Sequence, residues 1–395
     1  MSSTRARVTV IAPCLSRGGM TRAYFVSRVL QHIGHQVDLI GHLPGGETIY
    51  PDPPAGLDVA PVHGRFPTVI RSIARCINGD VAYAVKPLPT SFGAALVRKR
   101  DRGIPVIVDV DDHELLFRSQ KIQRRSDSGP LRTMTRASMR FVRHLPRRLT
   151  SQHSRLYLRW MERRLSHADA ITTNTRTLQG IFGGILLPSG KDTDLFDPSR
   201  FDDDDCRRAL GLEGRFVVMF PGTAREHKGL EDVLEALEQL GNANARLVIV
   251  GGREIGVEYS RELARRWPQW VHVLPPRGID EMPATVAAAH VVVVAQRDVT
   301  IARAQFPIKL TDAMAMARPI ITTSVGDIPE IVADTAWVVP PSSPADIASA
   351  LRDIASDADR ARQRGDAARQ RCIETLSLDS AAEVLKRVMA AISHG

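Results

Sequence analysis

Two doubly wound α/β domains are what this sequence predicts, on three observations. The chain has 395 residues, long for one hydrophobic core. Short β-branched apolar runs alternate with amphipathic stretches of helical spacing, the pattern of parallel sheets covered on both faces. Midway, Leu187–Pro198, reading L-P-S-G-K-D-T-D-L-F-D-P, has the Pro, Gly and Asp content of a linker.

Composition narrows the class. An apolar fraction of 43% supports a sizeable core in each half. Cys14, Cys76, Cys206 and Cys372 are scattered without metal-ligand spacing, as reduced thiols of a cytosolic protein are. The N-terminal apolar run ends quickly at Pro13 and reads as a first strand, not a signal peptide, and no run approaches a membrane span. The formal net charge of +9 is local: between Arg118 and Arg164, thirteen Arg and one Lys face only Asp127 and Glu162. This segment, within a helical insertion expected at about 113–165, is suited to an anionic membrane surface, nucleic acid or an acidic acceptor. Few aromatics interleave the arginines, which argues against stacking on a single strand of nucleic acid.

Taken in order, Val8–Ala12 is a strand, followed by a loop with Arg17, Gly18 and Gly19 and a helix over Thr21–Ile33 that stops at Gly34. Adjacent glycines let a phosphate approach the backbone, and tight-turn duty explains them equally well. Strand Val81–Val85, a helix over Ser91–Arg102 and strand Val106–Val110 continue the alternation. Asp109, Asp111, Asp112 and His113 then crowd the carboxyl end of a buried strand, where open α/β sheets bind ligands. Such carboxylates position an acceptor, act as general base or steady positive charge on a sugar ring. The plainer role is helix capping by Asp111 or Asp112, worth about 1 kcal/mol.

Past a helix over Leu156–Leu165, a strand over Asp169–Asn174 and the linker, strand Phe216–Phe220 leads into Pro221–Gly229, P-G-T-A-R-E-H-K-G. Gly222 permits a sharp turn there, and Arg225 with Lys228 can neutralise a diphosphate. Strands at Arg246–Val250, Val271–Leu274 and Val291–Ala295 follow, and three helices close the chain at Ala345–Ala355, Ala358–Thr375 and Leu378–Ile392. The densest stretch is Phe306–Glu330, F-P-I-K-L-T-D-A-M-A-M-A-R-P-I-I-T-T-S-V-G-D-I-P-E, read as helix, strand Ile320–Thr323 and loop. Pro307 suits the first helical turn. Helical spacing puts Lys309, Asp312 and Met316 on one stripe and Leu310, Ala313, Met314 and Ala317 on the packing side. Lys309 and Asp312 there either hold a phosphorylated, hydroxyl-bearing ligand or form a plain surface ion pair.

These blocks together resemble the retaining GT-B glycosyltransferases of glycosyltransferase family 4, also called glycosyl transferases group 1. Asp312-Ala313-Met314-Ala315, Arg318-Pro319-Ile320-Ile321 and Val325-Gly326-Asp327-Ile328-Pro329-Glu330 carry the resemblance, with the Pro188–Pro198 hinge and the Gly222–Gly229 clamp. It implies two Rossmann-like domains facing a cleft: an acceptor-binding domain over 1–187, a hinge over 188–198, a donor domain over 199–375 and a helix over 376–395 crossing back. It also implies transfer from a nucleoside diphosphate sugar to a natural-product, saccharide or lipid-linked acceptor, with retention and without a metal or cofactor. Asp111, Asp112, Arg225 and Lys228 fall in catalytic positions. Gly18, Gly19, Gly222, Thr223, Arg225, Lys228, Arg277, Pro307, Ile308, Lys309, Leu310 and Asp312 fall in donor-binding ones. The chain departs from the pattern at Ala304, where the family carries Glu with Thr300, Arg303 and Gln305 the nearby polar side chains, and at His113, one residue late for the usual His-Asp pair. Asp109-Val110-Asp111 formally matches a metal-binding D-x-D.

The expected protein is cytoplasmic, with a peripheral membrane contact through Arg118–Arg164 and a homodimer left open, and nucleic acid is not an expected partner. Alternative readings are a GT-B enzyme of another reaction, such as an epimerase, or a non-catalytic nucleotide-sugar-binding protein that uses its basic segment to hold a membrane or nucleic acid.

Overall fold

Continuous apolar runs such as VAYAV and VIVDV must be covered on both faces, and each becomes a fully buried central strand. The structure is a computed structural model that describes residues 5–16, 19–116, 151–251 and 256–393. Arg17, Gly18 and the arginine-rich stretch up to 150 lie outside the described residues. The chain divides into two units, Met1–Leu187 with Ala382–Gly395, and Pro188–Ala381.

In the first unit the strands are β1 (Arg7–Ala12), β2 (Gln36–His42), β3 (Val59–Val62), β4 (Val81–Val85), β5 (Val106–Val110), β6 (Ala170–Thr173) and β7 (Ile185–Leu186), in the order β3-β2-β1-β4-β5-β6-β7. Every pairing is parallel, with Val8 opposite both Val37 and Val81 and with Asp109 opposite Thr172. The second unit has β8 (Phe216–Phe220), β9 (Ala245–Val250), β10 (Val271–Leu274), β11 (Val291–Val294), β12 (Ile320–Thr323) and β13 (Trp337–Val339), in the order β10-β9-β8-β11-β12-β13, again parallel. The order reverses between β1 and β4 in one unit and between β8 and β11 in the other. The carboxyl ends of strands at such reversals are where open sheets bind ligands.

Several local expectations need correction. The helix expected from Ser91 opens earlier, with one wide turn at Pro89–Gly93 running into Ala94–Arg102. The helix after Phe306 spans Ile308–Ala315, so Pro307 sits one position outside it. Met316, expected on the polar stripe, is fully buried in the second unit's core beside Leu310 and Met314. The segment read as a loop around Val325–Glu330 forms a helix over Ile328–Val332, with Pro329 in its first turn where a missing N–H costs nothing. Among the described residues no helix is long and apolar enough to cross a membrane.

Candidate functional site

Asp109 lies in β5 and is fully buried, and a buried carboxylate needs compensating partners. Arg22, from the helix Met20–His32 that follows β1, meets it with two hydrogen bonds of 2.8 Å. Thr172 Oγ1 in β6 donates at 2.7 Å and Tyr83 Oη in β4 at 3.3 Å. With both oxygens occupied, Asp109 is not an open ligand, and the D-x-D reading of Asp109-Val110-Asp111 fails on that ground.

The next carboxylates gather on one cation that sequence reasoning missed. Lys86 follows β4 with φ +65°, a left-handed conformation that costs a non-glycine residue about 1–2 kcal/mol. Its Nζ donates to Asp112 at 2.5 Å and to Glu114 at 2.9 Å. Asp111 Oδ1 lies 3.3 Å away as an ion pair, without hydrogen-bond geometry. Burial, and then the neighbouring Asp112 and Asp109, outweigh Lys86 and push the Asp111 carboxyl up to about 7. Glu114 is held down at about 2: burial opposes ionisation, but Lys86 and His153 overcome it. His113 caps the turn that follows, its carbonyl oxygen and Nδ1 both accepting from the N–H of Leu116. Gly19 sits at φ −76°, and an added Cβ would make only an ordinary 3.4 Å contact with Lys86 Cε, so neither backbone nor space demands glycine there.

The second unit collects cations instead. β8 ends in the loop that carries Gly222, Thr223, Arg225 and Lys228, with Arg225 in extended backbone ahead of the short turn Glu226–Lys228. Gly229 closes the loop at φ +64°, and a Cβ there would collide with the carbonyl oxygen of Ala295, just past β11. This approach brings Lys228 Nζ to Gln305 Oε1 at 2.6 Å and Gln296 Oε1 at 3.5 Å. Gln296 is buried, and its Nε2 has no hydrogen-bond partner. Lys309, in the first turn of Ile308–Ala315, lies across Gly222, where any Cβ would overlap its Cε. A side chain at 222 would therefore have to displace the end of Lys309.

Asp312, one turn further and buried, does not take the expected Lys309 as its close partner. Its ion pair is with Lys191 of the linker, and that contact lacks hydrogen-bond geometry. Lys191 is fixed through its backbone N–H to Leu376 O at 2.7 Å and by Phe196, whose ring centroid is 4.6 Å from Nζ. Arg369 fastens the same segment, donating to Phe196 O at 2.6 Å and Thr193 O at 3.3 Å. Burial lowers the Lys309 pKa; Asp312 opposes the shift and Lys191 adds to it. Lys191 and Lys309 thus share one carboxylate.

The remaining donor-binding candidates divide. Arg277, past β10, pairs with Glu281 at 3.2 Å while its buried Nε has no hydrogen-bond partner. Leu310 is core, so only its backbone is available to a ligand, and Pro307 is buried beside it. Ile308 is partly buried against the same core, and Thr223 is partly exposed. Of the seven lysines, Lys86, Lys191, Lys228 and Lys309 all stand in these two clusters, yet the sequence pointed only to the last two.

The fold and the two sheet reversals define a GT-B protein of two Rossmann-like parallel-sheet units. Residues 215–357 match the family model of glycosyl transferases group 1. The chain is 30% identical over 228 residues to alpha-maltose-1-phosphate synthase of Mycolicibacterium smegmatis, a match spanning 53% of this chain and 57% of that relative. Sucrose-phosphate synthase of Thermosynechococcus elongatus has the same fold, with TM-score 0.72, 16% identity, and 99% and 100% of the two chains covered. So does HepE of Anabaena, solved with UDP-glucose, with TM-score 0.67, 14% identity, and 98% and 100% covered.

Proposed function

We propose that this chain is a glycosyltransferase that moves a sugar from a nucleoside diphosphate sugar to an acceptor nucleophile on a saccharide, natural product or lipid-linked molecule, with retention at the anomeric carbon. The observation that carries this reading is the gathering of cations at the β8/β11 reversal: Lys309 lies across Gly222 at the end of β8, and the same loop carries Arg225 and Lys228. Cations gathered at the carboxyl end of a strand beside a sheet reversal suit an anionic ligand.

In this reading Lys228, Lys309 and Arg225 meet the diphosphate and steady the charge that develops on it as its bond to the anomeric carbon breaks. Gly222 keeps the β8 loop low enough for Lys309 to reach across. Asp312 accepts hydrogen bonds from hydroxyls of the bound nucleotide. Asp111 and Asp112 in the first unit orient the acceptor, and Asp111, titrating about 7, takes the proton its nucleophile gives up. The diphosphate charge is met by side chains, so the reaction is proposed to run without a metal ion.

Calorimetry with UDP, GDP, dTDP, ADP and CDP, each with and without EDTA, tests the reading. One nucleotide is expected to bind wild type and not Lys228→Ala, unchanged by EDTA. Failure of every nucleotide to bind would overturn it, and loss of binding with EDTA would overturn metal independence. Retention is checked by the anomeric coupling constant of the product.

A further inference from the structure

The helix Arg155–Glu162, RLYLRWME, is apolar on two sides. Ser154 caps it, accepting from the N–H of Tyr157 at 3.3 Å. Its inward face is set by Leu158 and Met161, both buried, with Met161 in the first unit's core. That face explains why the helix packs where it does. It does not explain Leu156, which is 62% exposed, or Trp160, which is 45% exposed one turn later. Exposed leucines are common singly, but residues at i and i+4 are neighbours on one face, so these two form a continuous apolar strip.

Cations flank the strip. Arg155, Arg159 and Arg163 are exposed, and Arg164 lies over the Trp160 ring with 4.5 Å from guanidinium to centroid. The acidic side chain of the helix, Glu162, is partly buried, and burial raises its pKa. Beside the helix, Phe66 packs edge-on against Tyr157 at 5.1 Å, in a loop whose Arg65 is exposed. A Trp and a Leu ringed by arginines suit the boundary between lipid headgroups and acyl chains: the ring and the isobutyl group enter, and the guanidinium groups stay with the phosphates. Nucleic acid fits less well, because Leu156 offers nothing to a phosphate backbone and Trp160 alone makes no stacking platform.

We propose that the outward face of Arg155–Glu162, led by Leu156 and Trp160, docks the first unit on an anionic membrane surface. The proposal is independent of the nucleotide-sugar reading, since none of these residues belongs to either charged cluster. In sequence, residues 118–150 carry nine Arg and one Lys against Asp127, charge of the same sign.

The test is co-sedimentation of the full chain with vesicles of phosphatidylcholine alone and of phosphatidylcholine mixed with an equal part of phosphatidylglycerol, at low and moderate salt. Binding is expected only to the mixed vesicles and to weaken with salt. Each Arg→Gln change at 155, 159 or 163 is expected to lower the partition coefficient about fivefold. The double variant Leu156→Ser/Trp160→Ser should bind more weakly at every salt concentration, and acyl-chain-brominated lipid should quench less fluorescence in Trp160→Phe than in wild type. Binding to neither vesicle would overturn the proposal, as would binding that the serine double variant leaves intact. Wild-type self-association lost in that variant, without vesicle binding, would assign the strip to a second copy instead. Tighter binding to DNA than to mixed vesicles would assign it to nucleic acid.

Discussion

The two units present the same sheet reversal with opposite charge. In the first, one lysine serves Asp111, Asp112 and Glu114, and the neighbouring Asp109 is already saturated by Arg22. In the second, Lys191 pairs with Asp312, Lys309 feels the charge of both, and Lys228 donates to the amide oxygens of Gln305 and Gln296. An ion held away from water must be compensated or it is expelled. The acid-rich cluster is compensated by a cation of the chain, so Lys86 is a structural necessity. In the proposed function, the cations of the second cluster meet the charge that a diphosphate brings.

The comparison is broken or sharpened first by removing a cation from each side. Lys86→Ala strips the counter-ion from the buried Asp111 and the partly buried Asp112 and Glu114 and is expected to cost about 3–5 kcal/mol, read from urea unfolding monitored in the first unit. A loss below about 1 kcal/mol would show that the acid cluster is solvated and that the contrast between the units is false. Lys228→Ala is expected to leave stability within about 1 kcal/mol of wild type, whereas Asp312→Ala removes the buried counter-ion of Lys191 and is expected to cost more. Each should lower kcat/KM for transfer by about 10²-fold or more, the scale of a lost group that stabilises developing charge. Near-normal kcat/KM in either variant would take that residue out of the site.

The pH dependences should run in different windows. The folded pKa of Asp111, about 7, lies above the ordinary carboxylate value of 3.8. Its contribution to stability is therefore full below that ordinary value and lost as pH rises through about 7. Asp111→Asn is expected to flatten this part of the stability profile, and to remove any limb near the same pH from kcat/KM. Lys309 must be protonated to hold an anion, and its pKa is lowered by burial. Nucleotide affinity should fall as pH rises through a value below the usual lysine range, and Lys309→Arg should extend binding to higher pH. Smallest of all, Lys191→Ala relieves repulsion on Lys309 while it loosens Asp312, so its net effect on stability is expected within about 1 kcal/mol. Its signature is an upward move of the alkaline limb of nucleotide binding. A limb that stays where it is would mean that Lys191 is not coupled to Lys309.

Much of the fold was legible because buried parallel strands are written as continuous apolar runs. Val81–Val85, Val106–Val110, Phe216–Phe220, Val271–Leu274 and Ile320–Thr323 have the same limits in the structure as in the sequence reading. The strand Val59–Val62, interrupted by Pro61, and the two-residue Ile185–Leu186 carry too little pattern to be seen. Ile328–Val332 was misread because Gly326, Asp327 and Pro329 have turn chemistry, although Pro329 falls where a helix tolerates it. In the site, Arg225, Lys228, Lys309 and Asp312 were nameable from loop and helix spacing. Lys86, Lys191, Glu114 and Gln296 were not: each stands in a stretch whose local pattern says strand end or linker, and its partner is distant in sequence.

The sequence by itself determined the central strands and longer helices, that there are two sheets, and which loops carry cations and glycines, because periodicity and backbone preference act over a few residues. Only the tertiary structure decided that Asp312 belongs with Lys191, that Asp109 is spent on Arg22, and that Gly222 is empty so that Lys309 can cross it. Pairing of buried charges depends on where each sheet brings its strand ends in space. That is a property of packing among distant segments and leaves no local mark.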